Sequence, residues 1–133
     1  MEKSKVYFSD FHTVDGLSLP KKLARLIKRD GFDNIDFEDK FAAIKIHFGE
    51  PGNLAYLRPN YAKVVVDMVK ERGGKAFLTD CNTLYVGGRK NALDHMDSAY
   101  ENGFNPFQTG CHIIIADGLK GNNEAEVPVE GGE

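Results

Sequence analysis

The stretch "AIKIHFGEPGN", residues 43–53, decides how this chain is read. Side chains of a strand alternate between two faces, so Ile44, Ile46 and Phe48 share one side while Lys45 and His47 share the other. A glycine-containing turn follows at once. A sheet strand is therefore expected over 41–48, with one apolar face and two polar groups delivered at its carboxyl end.

Working outward, strand-like and helix-like segments alternate. "KVYFSDF" (5–11) is short, aromatic and β-branched, and reads as the first strand. A helix is expected from about Ser18, where Pro20 suits the first turn and Leu23, Ala24 and Ile27 form a stripe ended near Gly31. After the strand at 41–48, a helix from Pro59 to Arg72 places Tyr61, Val65, Met68 and Val69 on one side and stops at Gly73. "KAFLTDC" (75–81) is a strand. "RKNALDHMDSAYENG" (89–103) is a helix with Leu93, Met96 and Tyr100 as its apolar side. "CHIIIADG" (111–118) closes the series, and its three isoleucines suggest burial on both faces.

The order βαβαβαβ implies an α/β fold: a mostly parallel sheet of about four strands covered by helices. Residues 1–118 read as one α/β domain, and 119–133 as a polar, acidic loop or tail. A parallel sheet that stops there looks unfinished, so the chain is expected to be the N-terminal part of a larger domain.

Composition narrows the function. At 133 residues there is room for one core, and 41% hydrophobic with 28% charged residues is ordinary globular content. A net charge of −3 speaks against a general nucleic-acid binder. The basic run "KKLARLIKR" (21–29) reads as the solvated side of a helix. No apolar run reaches the length of a membrane span, and no signal-peptide core is visible, so a cytoplasmic location is expected. Cys81 and Cys111 lie far apart and read as two small free thiols.

In open parallel sheets ligands bind beyond the carboxyl ends of the strands. Those ends carry Asp10 and His12, then Lys45 and His47 with Gly49 and Asn53 in the turn, then Asp80, Asn82 and Arg89, and finally Asp117. Arg58 stands at the entrance of the following helix. A lysine on such a strand calls for a carboxylate or an anionic ligand, because an unpaired buried ammonium is costly. Either an anion-binding rim or an ion pair from Lys45 to Asp80 or Asp117 satisfies it. Asp80 and Asn82 could orient a polar ligand or cap their own loops. The expected ligand is small and anionic or polar; no nucleophile–base constellation is present, and a metal site from His47, Asp80, Cys81 and His112 can be imagined but is not specified by spacing.

Lys45–x–His47–x–Gly49, Arg58–Pro59, Asp80–x–Asn82–Thr83, Gly88–Arg89 and Asp117–Gly118, taken together, resemble the N-terminal part of the iron–sulfur-centre proteins that carry domain of unknown function number 362. The resemblance runs from about residue 4 to the tail. It implies a longer protein, often with a ferredoxin-like module, and so an iron–sulfur cluster and electron transfer for the complete family member. It does not place that cluster on this chain. The partners expected are the missing C-terminal portion or a second copy. The alternative reading is a non-catalytic interaction module whose polar edge docks one of these.

Overall fold

A computed structural model describes residues 3–131 of the chain, so residues 1–2 of the expected domain and 132–133 of the expected tail lie outside the described residues. Its elements are helix α1 (Leu19–Arg29), a 3-10 turn (Phe32–Asn34), strand β1 (Phe41–Lys45), α2 (Pro59–Lys70), β2 (Lys75–Asp80), α3 (Ala92–Glu101), α4 (Pro106–Thr109) and β3 (Ile113–Ile115). The three strands form a parallel sheet in the order β1-β2-β3. The fold is α/β, as the sequence indicates, but the sheet has three strands where four were expected.

The missing strand is the N-terminal one. Residues 5–11 adopt no regular structure and lie beside α1, where Lys22 Nζ holds Asp10 Oδ1 at 2.6 Å and the His12 carbonyl at 2.7 Å. Lys22 thus anchors to α1 a segment whose composition suits a strand, and Asp10 and His12 do not join the strand ends. Val6, Phe8 and Phe11 remain exposed there.

Register explains which face is packed. Ile44 pairs with Leu78, Leu78 with Ile113, and Asp80 with Ile115, so all five point to one side of the sheet. That side meets Ala62 and Val66 of α2 and Ala99 of α3, with Phe48, Phe104 and Cys111 completing the core. Because the strand order advances in one direction, both crossover helices pack on the same face. The opposite face, carrying Phe41, Ala43, Lys45, Phe77 and Ile114, is left uncovered: Phe41 is 78% and Ile114 51% exposed. The isoleucine run is therefore buried at its two outer members only, which corrects the expectation of burial on both faces.

The helices are set by their caps. Pro59 occupies the first turn of α2, where its missing N–H costs nothing, and Asn91 accepts from Leu93 and Asp94 N–H at the start of α3. Their buried sides differ from the expected ones. α2 buries Ala62, Val66, Met68 and Val69, with Tyr61 and Val65 only half-buried. α3 buries His95, Ser98 and Ala99 and exposes Leu93 and Tyr100. The reason lies in its polar side chains: Ser98 Oγ donates to the Gly49 carbonyl at 3.0 Å and Asn102 Nδ2 to the Phe48 carbonyl at 2.9 Å. α3 is thereby fastened to the loop that leaves β1.

Candidate functional site

The carboxyl ends of the three strands, with the loops 46–53, 81–91 and 116–121, form one rim. Its centre is Asp80, the last residue of β2, which is 6% exposed. Asp80 Oδ1 accepts from Lys45 Nζ at 2.9 Å and from Cys81 N–H at 3.0 Å, and Oδ2 faces Arg89 Nη1 at 3.4 Å. Lys45 begins on the open face and Asp80 on the covered one, so this ion pair spans the end of the sheet. The carboxylate partner anticipated for Lys45 is Asp80; Asp117 is engaged elsewhere.

Arg89 is buried and its charge is met on several sides. Nε donates to Glu50 Oε1 at 2.7 Å, and Nη2 donates to the Tyr85 hydroxyl at 2.7 Å, which itself donates to Glu50 Oε1 at 2.7 Å. Burial works against the guanidinium charge, but Glu50 and Tyr85 more than restore it and the net shift is upward. Glu50 is held below the usual carboxylate range by the Tyr85 hydroxyl, against burial, and further by Arg89. Arg89 thus ties the first loop to the second and is enclosed by protein partners, so the geometry makes it a bracing residue of the rim.

The remaining expected residues divide. Asn82 and Asp117 form a second lock: the Asn82 backbone N–H lies 3.0 Å from both carboxylate oxygens of Asp117, while its Nδ2 donates to Asp117 Oδ1 at 3.0 Å and to the Gly118 carbonyl at 2.8 Å. This joins the ends of β2 and β3. Gly49 supplies the bend after β1 at φ 85°, and its N–H donates to His47 Nδ1 at 2.9 Å. Asn53 closes its own turn by accepting from Ala55 N–H at 2.8 Å. Arg58 is exposed at the start of α2, beside Leu54, Tyr56, Pro59 and Asn60, and among the described residues it makes no ion pair. It stands apart from the Lys45–Asp80 cluster.

Lys45 and His47 are the outward-facing members. The Lys45 side chain is 71% exposed although its ammonium is anchored, and the Asp80 hydrogen bond raises its pKa above the usual lysine value. One of its three donors goes to Asp80, leaving two for the open side. His47 is exposed on the same face. Since its Nδ1 accepts the Gly49 N–H, the neutral ring carries its proton on Nε2 and offers a donor there.

Sequence reasoning missed three members: Glu50, Tyr85 and His95. Glu50 lies within the glycine turn of 43–53 and Tyr85 just before Gly87–Gly88, and neither is identifiable from the sequence as a partner of Arg89. His95 lies under Asp80, fully buried, with Nε2 3.8 Å from Asp80 Oδ2. A histidine in the middle of α3 was all the sequence offered, and the apolar stripe Leu93–Met96–Tyr100 concealed it.

The thiols do not suit an iron–sulfur cluster. Cluster binding takes several converging cysteine thiolates. Cys81 is exposed at the rim, whereas Cys111 is buried in the core, where burial pushes its pKa up. No group of three or more His, Cys, Asp or Glu side chains among the described residues could hold a metal ion. No helix among them is long and apolar enough to cross a membrane.

Neither a curated protein nor a solved structure matches this chain. A family model does, the Domain of unknown function (DUF362), over residues 42–133. That span takes in β1 from its second residue, all of β2 and β3, and every residue of the rim just described. The chain belongs to the DUF362 family.

Proposed function

We propose that the strand-end rim binds a small polar ligand through an anionic group, such as a carboxylate or phosphate. The observation that carries this reading is the state of Lys45. Its ammonium is fixed in place by a buried carboxylate yet open to solvent, with two donors unspent and the His47 Nε2–H beside it on the same face. Asp80 and Asn82 then act from below, orienting the rim. Arg89 and Asp117 brace it, and Arg58 contributes only to a ligand long enough to reach the start of α2. Iron–sulfur chemistry and electron transfer are proposed only for a complete family member, supplied outside these residues, in the cytoplasm.

A thermal-shift screen of phosphate- and carboxylate-bearing metabolites tests the site. A ligand that raises the Tm of the parent should leave a Lys45→Ala/His47→Ala double variant unmoved. Equal shifts in both proteins would remove the assignment.

A second reading rests on the uncovered sheet face. Parallel sheets are ordinarily covered on both sides, and here Phe41 and Ile114 are exposed on one. In this reading the chain is an interaction module whose open face and rim dock the remainder of a longer protein or a second copy. Light scattering on the purified chain separates the two: a monomer that binds ligand favours the first, a dimer that does not favours the second.

A further inference from the structure

One buried imidazole lies beneath the charged rim, next to Asp80. His95 projects from α3 to the underside of the rim, fully enclosed and packed edge-on against Phe48 with ring centroids 5.7 Å apart. Asp80 at the end of β2 has Oδ2 3.8 Å from Nε2, and the charges of Arg89 from the loop before α3, Asp117 after β3 and Glu50 from the loop after β1 also act on the ring. Neither ring nitrogen has a hydrogen-bond partner among the described residues. Burying such a group unpartnered is unfavourable, and a native protein that retains one invites an explanation.

The geometry around Asp80 supplies it. Oδ1 is well used, by Lys45 and the Cys81 N–H, but Oδ2 has only a long contact to Arg89 Nη1 at 3.4 Å and a near miss to His95 Nε2 at 3.8 Å. At 3.8 Å there is no hydrogen bond. Reaching the roughly 2.8 Å of a charge-assisted bond requires a closure of about 1 Å. A neutral imidazole with its proton on Nε2 could donate one such bond to the carboxylate; an imidazolium adds a full ion pair in a water-poor setting, and so has the stronger pull.

We propose that His95 is a proton-operated latch on Asp80: neutral, it leaves Oδ2 to Arg89; protonated by solvent, it takes Oδ2 as its own acceptor and draws the Lys45–Asp80–Arg89 rim into a second arrangement. Burial pushes the His95 pKa down, with Arg89 adding to this and Asp80, Asp117 and Glu50 opposing it. The net shift is downward, so the second arrangement forms only below the ordinary imidazole range near ~6.5. The latch belongs to the ligand-free protein and does not require that the rim bind an anion.

An NMR titration of the full chain without ligand tests it, from about pH 8 down to about pH 4.5, the span that brackets an imidazole lowered by burial. The readouts are the His95 ring nitrogens, the Asp80 carboxyl carbon and the Arg89 Nε–H. The expected result is a common midpoint for all three, and loss of the Asp80 and Arg89 movements at that midpoint in His95→Gln. A His95 titration without companion movement at Asp80 or Arg89 overturns the latch. So does a ring that stays neutral throughout, or a movement that persists in the variant. If His95→Gln does not fold, the parent titration decides alone, because unlinked midpoints are sufficient to refute it. Since no ligand is present, failure here is separate from failure of the thermal-shift screen.

Discussion

Arg89 Nε donates to Glu50 Oε1 at 2.7 Å, joining two loops whose contributing residues are 39 positions apart in the chain. Both loops follow strands of the same sheet, and Gly88 sits where an added Cβ would lie 3.0 Å from Pro51. The rim is therefore a braced structure, with Lys45 and His47 as its outward groups. This division between brace and outward group organises what substitutions should do.

Removing the central carboxylate should be severe. Asp80→Ala leaves Arg89 buried with one fewer partner and Lys45 with none, and breaking a buried pair in this way typically costs about 3 kcal/mol or more. Urea unfolding of Asp80→Ala and Asp80→Asn is expected to show a large fall in midpoint for both. A change within about 0.5 kcal/mol, the range of ordinary surface substitutions, would contradict the central place given to Asp80.

Lys45→Ala should behave in the opposite manner. Its side chain is 71% exposed, and solvent-screened pairs contribute only about 0–1 kcal/mol. Stability should hardly move while any ligand-induced Tm shift disappears. Parallel urea and thermal-shift measurements on this variant separate the two effects.

Gly49→Ala tests the fastening of α3 to the β1 loop. The residue sits at φ 85°, and a Cβ there would lie 2.6 Å from both Asn102 Nδ2 and Tyr56 Cδ1. Positive φ and crowding together should destabilise by about 2 kcal/mol or more. Gly52→Ala shares the positive φ, at 79°, but nothing lies within 4 Å of its added Cβ, so it should cost less in the same chemical-denaturation experiment.

The acid limb of stability should report Glu50. Its folded pKa is lowered, first by the Tyr85 hydroxyl and then by Arg89 against burial, so it binds protons less readily when folded than when unfolded. Its contribution is therefore fully present above the unfolded value near ~4.3 and is lost as pH falls through the lower folded value. Glu50→Gln should flatten the stability profile in that window. Lys45 behaves with the opposite sign: its raised pKa gives a contribution present below the unfolded value near ~10.4 and lost as pH rises through the folded one.

Much of this architecture was legible where the signal is local. The alternation Ile44–Lys45–Ile46–His47–Phe48 placed the correct residues on each side of β1, and the need of Lys45 for a carboxylate pointed to Asp80 as one of two partners. Arg89 and Asp117 were found as members of the rim but not as braces, because burial depends on loops distant in sequence. The α3 stripe was misread for a related reason. His95, Ser98 and Asn102 face inward because Asp80, Gly49 and Phe48 stand opposite them, and nothing within 92–101 announces those neighbours. Residues 5–11 have strand composition, yet composition does not say what a segment packs against, and Lys22 holds Asp10 against α1 instead of a sheet edge.

The unequal setting of the two thiols has a practical consequence. Cys81 is exposed one residue beyond Asp80, while Cys111 is sealed in the core with its pKa raised by burial. A maleimide dye should therefore couple to the unmodified polypeptide at one position only, beside the ion pairs. The wild-type chain thus comes ready for fluorescence or spin-probe readout of the place where ligand and proton effects are expected, with no engineered attachment point.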